Sequence, residues 1–269
     1  MSFKLLLTIA LLSASTPAFA GDGELHTFHC LYGCPLGAPS TNDTVVREIY
    51  TLSNNDLTKM ADWVAYRIMP ETIGPSDSRN WQADPSLAPD ETLTENDYKD
   101  APATLHIDRG HQAPLASFSG TPFAADTNIL SNITPQASAL NQGAWVKIEN
   151  RERDLAKRTA KPVYVYTGPL FERLMKGLPQ YAGIHRVPSG YWKVVATADG
   201  RLSAFVFDQN TPRQADPCAN RVTLLEIQLR SRLILFPMAP DAVFTSLDSD
   251  LGCTTPAPAP TPPAEITTR

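Results

Sequence analysis

The residues best suited to chemistry lie together at Asp108-Arg109-Gly110-His111, between the apolar approach Leu105-His106-Ile107 and Gln112-Ala113-Pro114. A neutral imidazole is the natural side chain to take a proton from water near pH 7. A guanidinium and a carboxylate accompany it, and the glycine lets backbone or substrate come close. Such a set suits base-assisted attack on an anionic centre, although a lone histidine is also compatible with a structural part. Downstream, residues 145–161 carry Lys147, Arg151, Arg153, Lys157, Arg158 and Lys161 against Glu149, Glu152 and Asp154. Phosphate binding and a solvated amphipathic face account for this basic excess about equally well. No helix-turn-helix, zinc-finger or basic-zipper pattern accompanies it, which argues against sequence-specific readout of a nucleic acid.

These residues need elements to position them. Val45 to Leu52, Trp63 to Ile68, Val163 to Thr167, Tyr191 to Thr197 and Leu202 to Phe207 are short, β-branched or aromatic runs bounded by turn formers, and read as strands. Asp199-Gly200 between the last two signals a hairpin. The aromatic residues on these runs are expected in the core rather than in a site. From Ala137 to Thr159 the apolar set Leu140, Ala144, Trp145, Ile148 and Leu155 recurs at helical spacing. A second helix is expected from about Val222 to Arg232, with Thr223 and Glu226 as a capping box. Strands and helices do not alternate as in a parallel sheet, so the class is α+β.

The whole chain has 269 residues, 42% of them hydrophobic and 19% charged, enough to bury a core and too apolar for disorder. No apolar run reaches the roughly 18 residues needed to span a bilayer, so no membrane-spanning part is expected. Residues 1–20 read as an export signal, with Lys4, the apolar stretch Leu5 to Leu12 and the cleavage pattern Ala18-Phe19-Ala20. Loss of that single lysine changes the formal charge from −5 to −6. Residues 21–253 are expected to form the folded domain and residues 254–269, with five prolines, an extended disordered tail. In an oxidising compartment Cys30, Cys34, Cys218 and Cys253 favour disulfides, and proximity favours Cys30–Cys34 with Cys218–Cys253. The rival is a metal site made by Cys30 and Cys34 with His26 and His29.

Four stretches, DRGHQAPLAS at 108–117, SNITPQ at 131–136, LNQGAW at 140–145 and FDQNTP at 207–212, resemble in the same order the DNA/RNA non-specific endonucleases. The resemblance runs from about Cys30 to Cys253. It implies a ββα-metal core, a hairpin and helix holding one ion, within a larger mixed domain built on a central antiparallel sheet. It implies a secreted or periplasmic magnesium-dependent hydrolase, with manganese as the alternative ion, that cuts DNA and RNA to 5′-phosphate fragments; a homodimer is compatible with it.

By the same resemblance His111 is the general base, Asn141 the direct metal ligand and Glu149 the holder of a metal-bound water. Arg79 and Arg153 contact the scissile phosphate, and Arg109 and Asn132 are active-site neighbours. Were residues 141–153 one straight helix, Glu149 would lie about 80° round and about 12 Å along from Asn141, too far for both to hold one ion directly. Either Glu149 acts through water or the chain bends near Gly143, and an i,i+4 ion pair is the alternative for Glu149 and Arg153. The function alternatives are an inactive relative that only binds nucleic acid, and an exported interaction module that uses its proline tail.

Overall fold

The computed structural model describes residues 25–254 apart from 76, 77, 184, 240 and 242. The export signal and residues 255–269 of the tail lie outside the described residues. The chain begins with strands Asp43–Val46 (β1), Tyr50–Asn55 (β2) and Met60–Ile68 (β3), then a short helix Ala101–Leu105 (α1). A two-stranded antiparallel ribbon follows, Ile107–His111 (β4) and Ile133–Ala137 (β5). It runs into Ser138–Leu140 (α2), a π-helical turn over Asn141–Trp145 and the long helix Val146–Thr159 (α3). Strands Val163–Leu170 (β6), Gly190–Thr197 (β7) and Arg201–Asp208 (β8) come next. Arg221–Val222 (β9), helix Leu224–Ser231 (α4) and Thr245–Ser246 (β10) complete the order.

The large sheet runs β1-β2-β3-β6-β7-β8, antiparallel throughout, with β9 and β10 added to the outer edge of β8 and only β10 parallel to it. Its inner strands β2, β3, β6 and β7 are buried on both faces, and the two-residue period sorts the side chains. Val64, Tyr66, Ile68, Val163 and Val165 point to the face that receives Leu140, Trp145, Ile148 and Leu155 from the π-turn and α3. Trp63, Ala65, Tyr166, Trp192 and Val194 point to the other face, under Ile227 of α4 and the Cys30–Cys34 segment. The ribbon packs on its own cluster, with Ile107 and Ile133 against Met60, Leu93 and Tyr98. Among the described residues no helix is long and apolar enough to cross a membrane.

Three departures from the sequence expectations have local causes. The run from Val45 to Leu52 is two strands, because the chain reverses at Arg47 to Ile49, the Arg47 N–H returning to the Tyr50 carbonyl at 2.9 Å. The polar pair Arg47-Glu48 interrupts the apolar run there, and Arg47 reaches out to pair with Asp84. The helix from 137 to 159 breaks at Gly143, whose φ of −117° and ψ of −112° are not helical. A Cβ at that glycine would lie 2.6 Å from the Arg213 carbonyl oxygen. The last helix starts at Leu224, since Val222 belongs to β9. Thr223 caps it by accepting the Glu226 N–H at 3.1 Å, while the Glu226 carboxylate turns to Arg230 instead of completing the box.

Disulfides join Cys30 to Cys34 and Cys218 to Cys253. The competing metal reading has no support: His29 is buried with one ring nitrogen 2.9 Å from the Thr51 hydroxyl and the other on the Glu48 carbonyl. Burial holds its imidazole neutral, down to about 4.

The FDQNTP stretch owes its form to the ribbon. Gln209, buried, accepts the Ala137 N–H at 2.7 Å and donates to the Pro135 carbonyl at 2.8 Å, supplying the hydrogen bonds that the free edge of β5 lacks. Gln209→Ala would leave the half-buried Ala137 N–H without its acceptor and the Pro135 carbonyl with the Tyr191 hydroxyl as its remaining donor, at 2.7 Å, and would empty a buried side-chain position. It is expected to cost about 2–4 kcal/mol, read as a lower denaturant midpoint at unchanged slope.

Candidate active site

Asp108, Arg109 and His111 come from β4, Asn141 from the π-turn, Glu149 and Arg153 from α3 and Arg79 from the connection after β3. All seven line one cleft of about 850 Å³, with Trp81, Lys157 and Arg213. Five basic side chains there face two carboxylates, so a chain of net negative charge concentrates positive potential at this opening. Asn132 is not brought into the cleft. It is fully buried, its amide holding the Ala113 N–H and carbonyl and the Thr127 carbonyl, so it positions the turn after His111 and cannot touch a substrate.

His111 closes β4 with its Nε2 3.0 Å from Oδ1 of Asn128, a residue 2% exposed whose Nδ2 reaches towards the Ser78 carbonyl at 3.5 Å. That polarity makes Nε2 the protonated nitrogen and Nδ1 the basic one. Burial lowers the imidazole to about 4, the Asn128 bond opposing and the Arg79 charge assisting. The ring is therefore uncharged throughout the neutral range. Trp81 lies against it at 5.4 Å between centroids.

Asp108 organises the facing wall. Its carboxylate accepts from Ser138 at 2.6 Å, from Nδ2 of Asn141 at 2.9 Å and from Gln142 at 2.8 Å. With its amide nitrogen committed, Asn141 has only its carbonyl oxygen left for a further ligand. Gly110 fits between them for a packing reason: a Cβ there would lie 2.5 Å from Oε1 of Gln136. Arg109 is held against the Trp81 and Tyr98 rings, 5.4 Å from each centroid, and donates to the Glu95 carbonyl at 3.0 Å.

Glu149 and Arg153 do not form the i,i+4 ion pair. Arg153 donates instead to Asn150 at 2.6 Å and Ser117 at 3.3 Å, which aims it from a buried base. Glu149 is 7% exposed, and burial pushes its carboxyl up to about 7, with Lys193 and then Arg153 pulling it back. A hard divalent cation suits this corner. The donors are oxygens, the amide of Asn141 is pre-oriented by Asp108, and a raised carboxyl is what an added positive charge would relieve. The chain bends at Gly143, between Asn141 and Glu149, and both residues line the one cleft.

Asn128, Trp81 and the orienting part played by Asp108 were not assigned from sequence. Asp108 stood inside the recognised tetrapeptide, and only the fold reveals that it faces Asn141. Asn128 ends a short 3-10 helix, Ala124–Asn128, and Trp81 lies in an irregular segment, and neither carries a spacing signal.

Comparison with known proteins agrees with this geometry. The profile of a family described as DNA/RNA non-specific endonuclease matches residues 32–241. The chain is 48% identical to a nuclease of Serratia marcescens over 255 residues, covering 93% of this chain and 94% of that one. It is 31% identical to the mitochondrial endonuclease G of Bos taurus, over 82% of this chain and 75% of that protein. A chain from the crystal structure of an EndoG/EndoGI complex superposes with a TM-score of 0.65 at 23% identity, over 80% of this chain and 93% of that one.

Proposed function

Because the chain belongs to the DNA/RNA non-specific endonuclease family, we propose that it is exported and hydrolyses DNA and RNA internally to 5′-phosphate fragments, with His111 as general base and one divalent cation, magnesium, at Asn141. The observation that carries this reading is a neutral, Asn128-oriented imidazole facing the same cleft as an Asp108-oriented carboxamide.

In this mechanism His111 takes a proton from water at Nδ1 as the water oxygen bonds to phosphorus. The P–O3′ bond breaks, and the departing 3′-oxygen is protonated from solvent. Arg79 and Arg153 bind the non-bridging oxygens, and Arg109, already braced by two rings and a carbonyl, needs little ordering to assist them. Asp108 fixes Asn141, whose carbonyl oxygen would hold the ion, and Glu149 would hold a water beside it. When bound, magnesium would neutralise the charge that develops on the leaving oxygen; manganese is the alternative ion. Both disulfides support export, since such bonds persist outside the reducing cytosol.

The test is digestion of plasmid DNA and of a structured RNA with magnesium and with EDTA. Internal cleavage of both, abolished by the chelator and leaving 5′-phosphate ends, is expected. Loss of only one substrate, or cleavage that survives EDTA, would overturn the reading.

A further inference from the structure

We propose a second divalent-cation site, suited to calcium, formed by Asp43, Asp56 and Glu91 where the start of β1 and the β2–β3 turn meet the connection leading from β3 to α1. One carboxylate oxygen from each lies within 4.8 Å of the other two. Oxygens bound to one calcium at 2.3–2.6 Å can be no more than about 5 Å apart, so the three meet the separation that sharing one ion requires. None of the three residues lines the catalytic cleft.

An independent observation points to the same ligand. Asn54 is fully buried, and the strand register sets it directly opposite Asp43, so the two side chains leave the same face of the sheet. Its Nδ2 donates to the Glu91 carbonyl at 2.8 Å. The carboxamide is thus anchored on the Glu91 backbone, on the sheet face it shares with Asp43, and its buried Oδ1 has no hydrogen-bond partner. Oδ1 of Asp56 is likewise buried and unpartnered. Native interiors rarely leave such oxygens unsatisfied. Among the described residues none of the three carboxylates forms an ion pair. Glu91 spends one oxygen on the Ala88 N–H, and Lys59 sends its ammonium to the Asp90 carbonyl.

Three carboxylates and an amide oxygen, with no histidine or cysteine, select a hard cation. An irregular set from three separate segments matches the variable coordination of calcium better than the strict octahedron of magnesium. The ion would pin the segment that carries Leu93 into the core and offers the Glu95 carbonyl to Arg109. An affinity near that of extracellular calcium modules, about 10⁻⁴–10⁻³ M, would suffice after export.

The experiment is thermal unfolding and equilibrium dialysis of the full, EDTA-stripped protein with calcium chloride or magnesium chloride. Calcium at several millimolar is expected to raise Tm by about 2–5 °C. The gain and one bound calcium should persist in Asn141→Ala, which removes the catalytic ligand, and vanish when Asp43→Asn/Glu91→Gln is added to that variant. Asp43→Asn alone, an exposed edge-strand change, should weaken calcium binding at least tenfold in a protein that still folds. Calcium binding that is absent from the wild type, survives in the triple variant or disappears in Asn141→Ala would overturn the site. A larger shift with magnesium would overturn the choice of ion. Because the readouts are unfolding and bound metal, failure here leaves the nuclease reading standing.

Discussion

His111→Ala is expected to lower kcat/KM on plasmid DNA by about 10²–10⁴-fold, the range that general-base catalysis contributes. Substrate binding should be nearly unaffected, because phosphate contact falls to Arg79, Arg109 and Arg153. The loss should therefore appear in kcat rather than in KM. Asn128→Ala should cost less, since it frees the ring to turn and to exchange tautomers without removing the base. Combined with His111→Ala it should add nothing, because an orienting residue has no work once the group it orients is gone. Initial rates for the four proteins, with circular dichroism to verify folding, form the measurement. Activity of His111→Ala within tenfold of the wild type, or full additivity of the two changes, would remove His111 from the chemistry.

The largest effect on stability is expected beneath the site. Lys193 of β7 and Glu152 of α3 form an ion pair at 3.0 Å with both side chains fully buried. Tyr66 donates to the second oxygen of Glu152 at 3.1 Å, and the ammonium lies 4.3 Å from the Trp145 ring centroid. Lys193→Met strands the carboxylate in the interior and should cost about 3–5 kcal/mol. At 2–4 °C per kcal/mol for a chain of this size, Tm should fall by about 6–20 °C. The double change Lys193→Met/Glu152→Leu removes the uncompensated charge and should recover most of the loss. If the double variant is no more stable than the single one, the cost lies in packing and the electrostatic account fails.

The contrast between these two sites explains what sequence could reveal. Asp108 to His111 is contiguous, because a single strand delivers both the proposed base and the residue that fixes Asn141; it could be read as a word. The strands of the large sheet were legible from β-branched runs, and α4 from its threonine cap. Lys193 was not, since a lysine between Trp192 and Val194 looks like the outward member of an alternating strand, and only the approach of Glu152 from another element permits its burial. Asn132 stood within a recognisable stretch, yet its side chain serves the backbone of the turn after His111. Similarity of sequence marks a neighbourhood, whereas the distinction between touching the substrate and supporting what touches it requires coordinates. The reversal at Arg47 to Ile49 escaped for a related reason: it is stabilised by Asp84, which is distant in sequence.

At Gly143 the chain separates two tasks that an unbroken helix would tie together. On a straight helix any change of tilt made to improve the grip of Arg153 or Lys157 on a polyanion would swing the metal-binding amide by the same rotation. The break lets the segment before it answer to Asp108 and the segment after it answer to the sheet. Affinity for the polymer and geometry at the ion can then drift independently, as two adjustments rather than one.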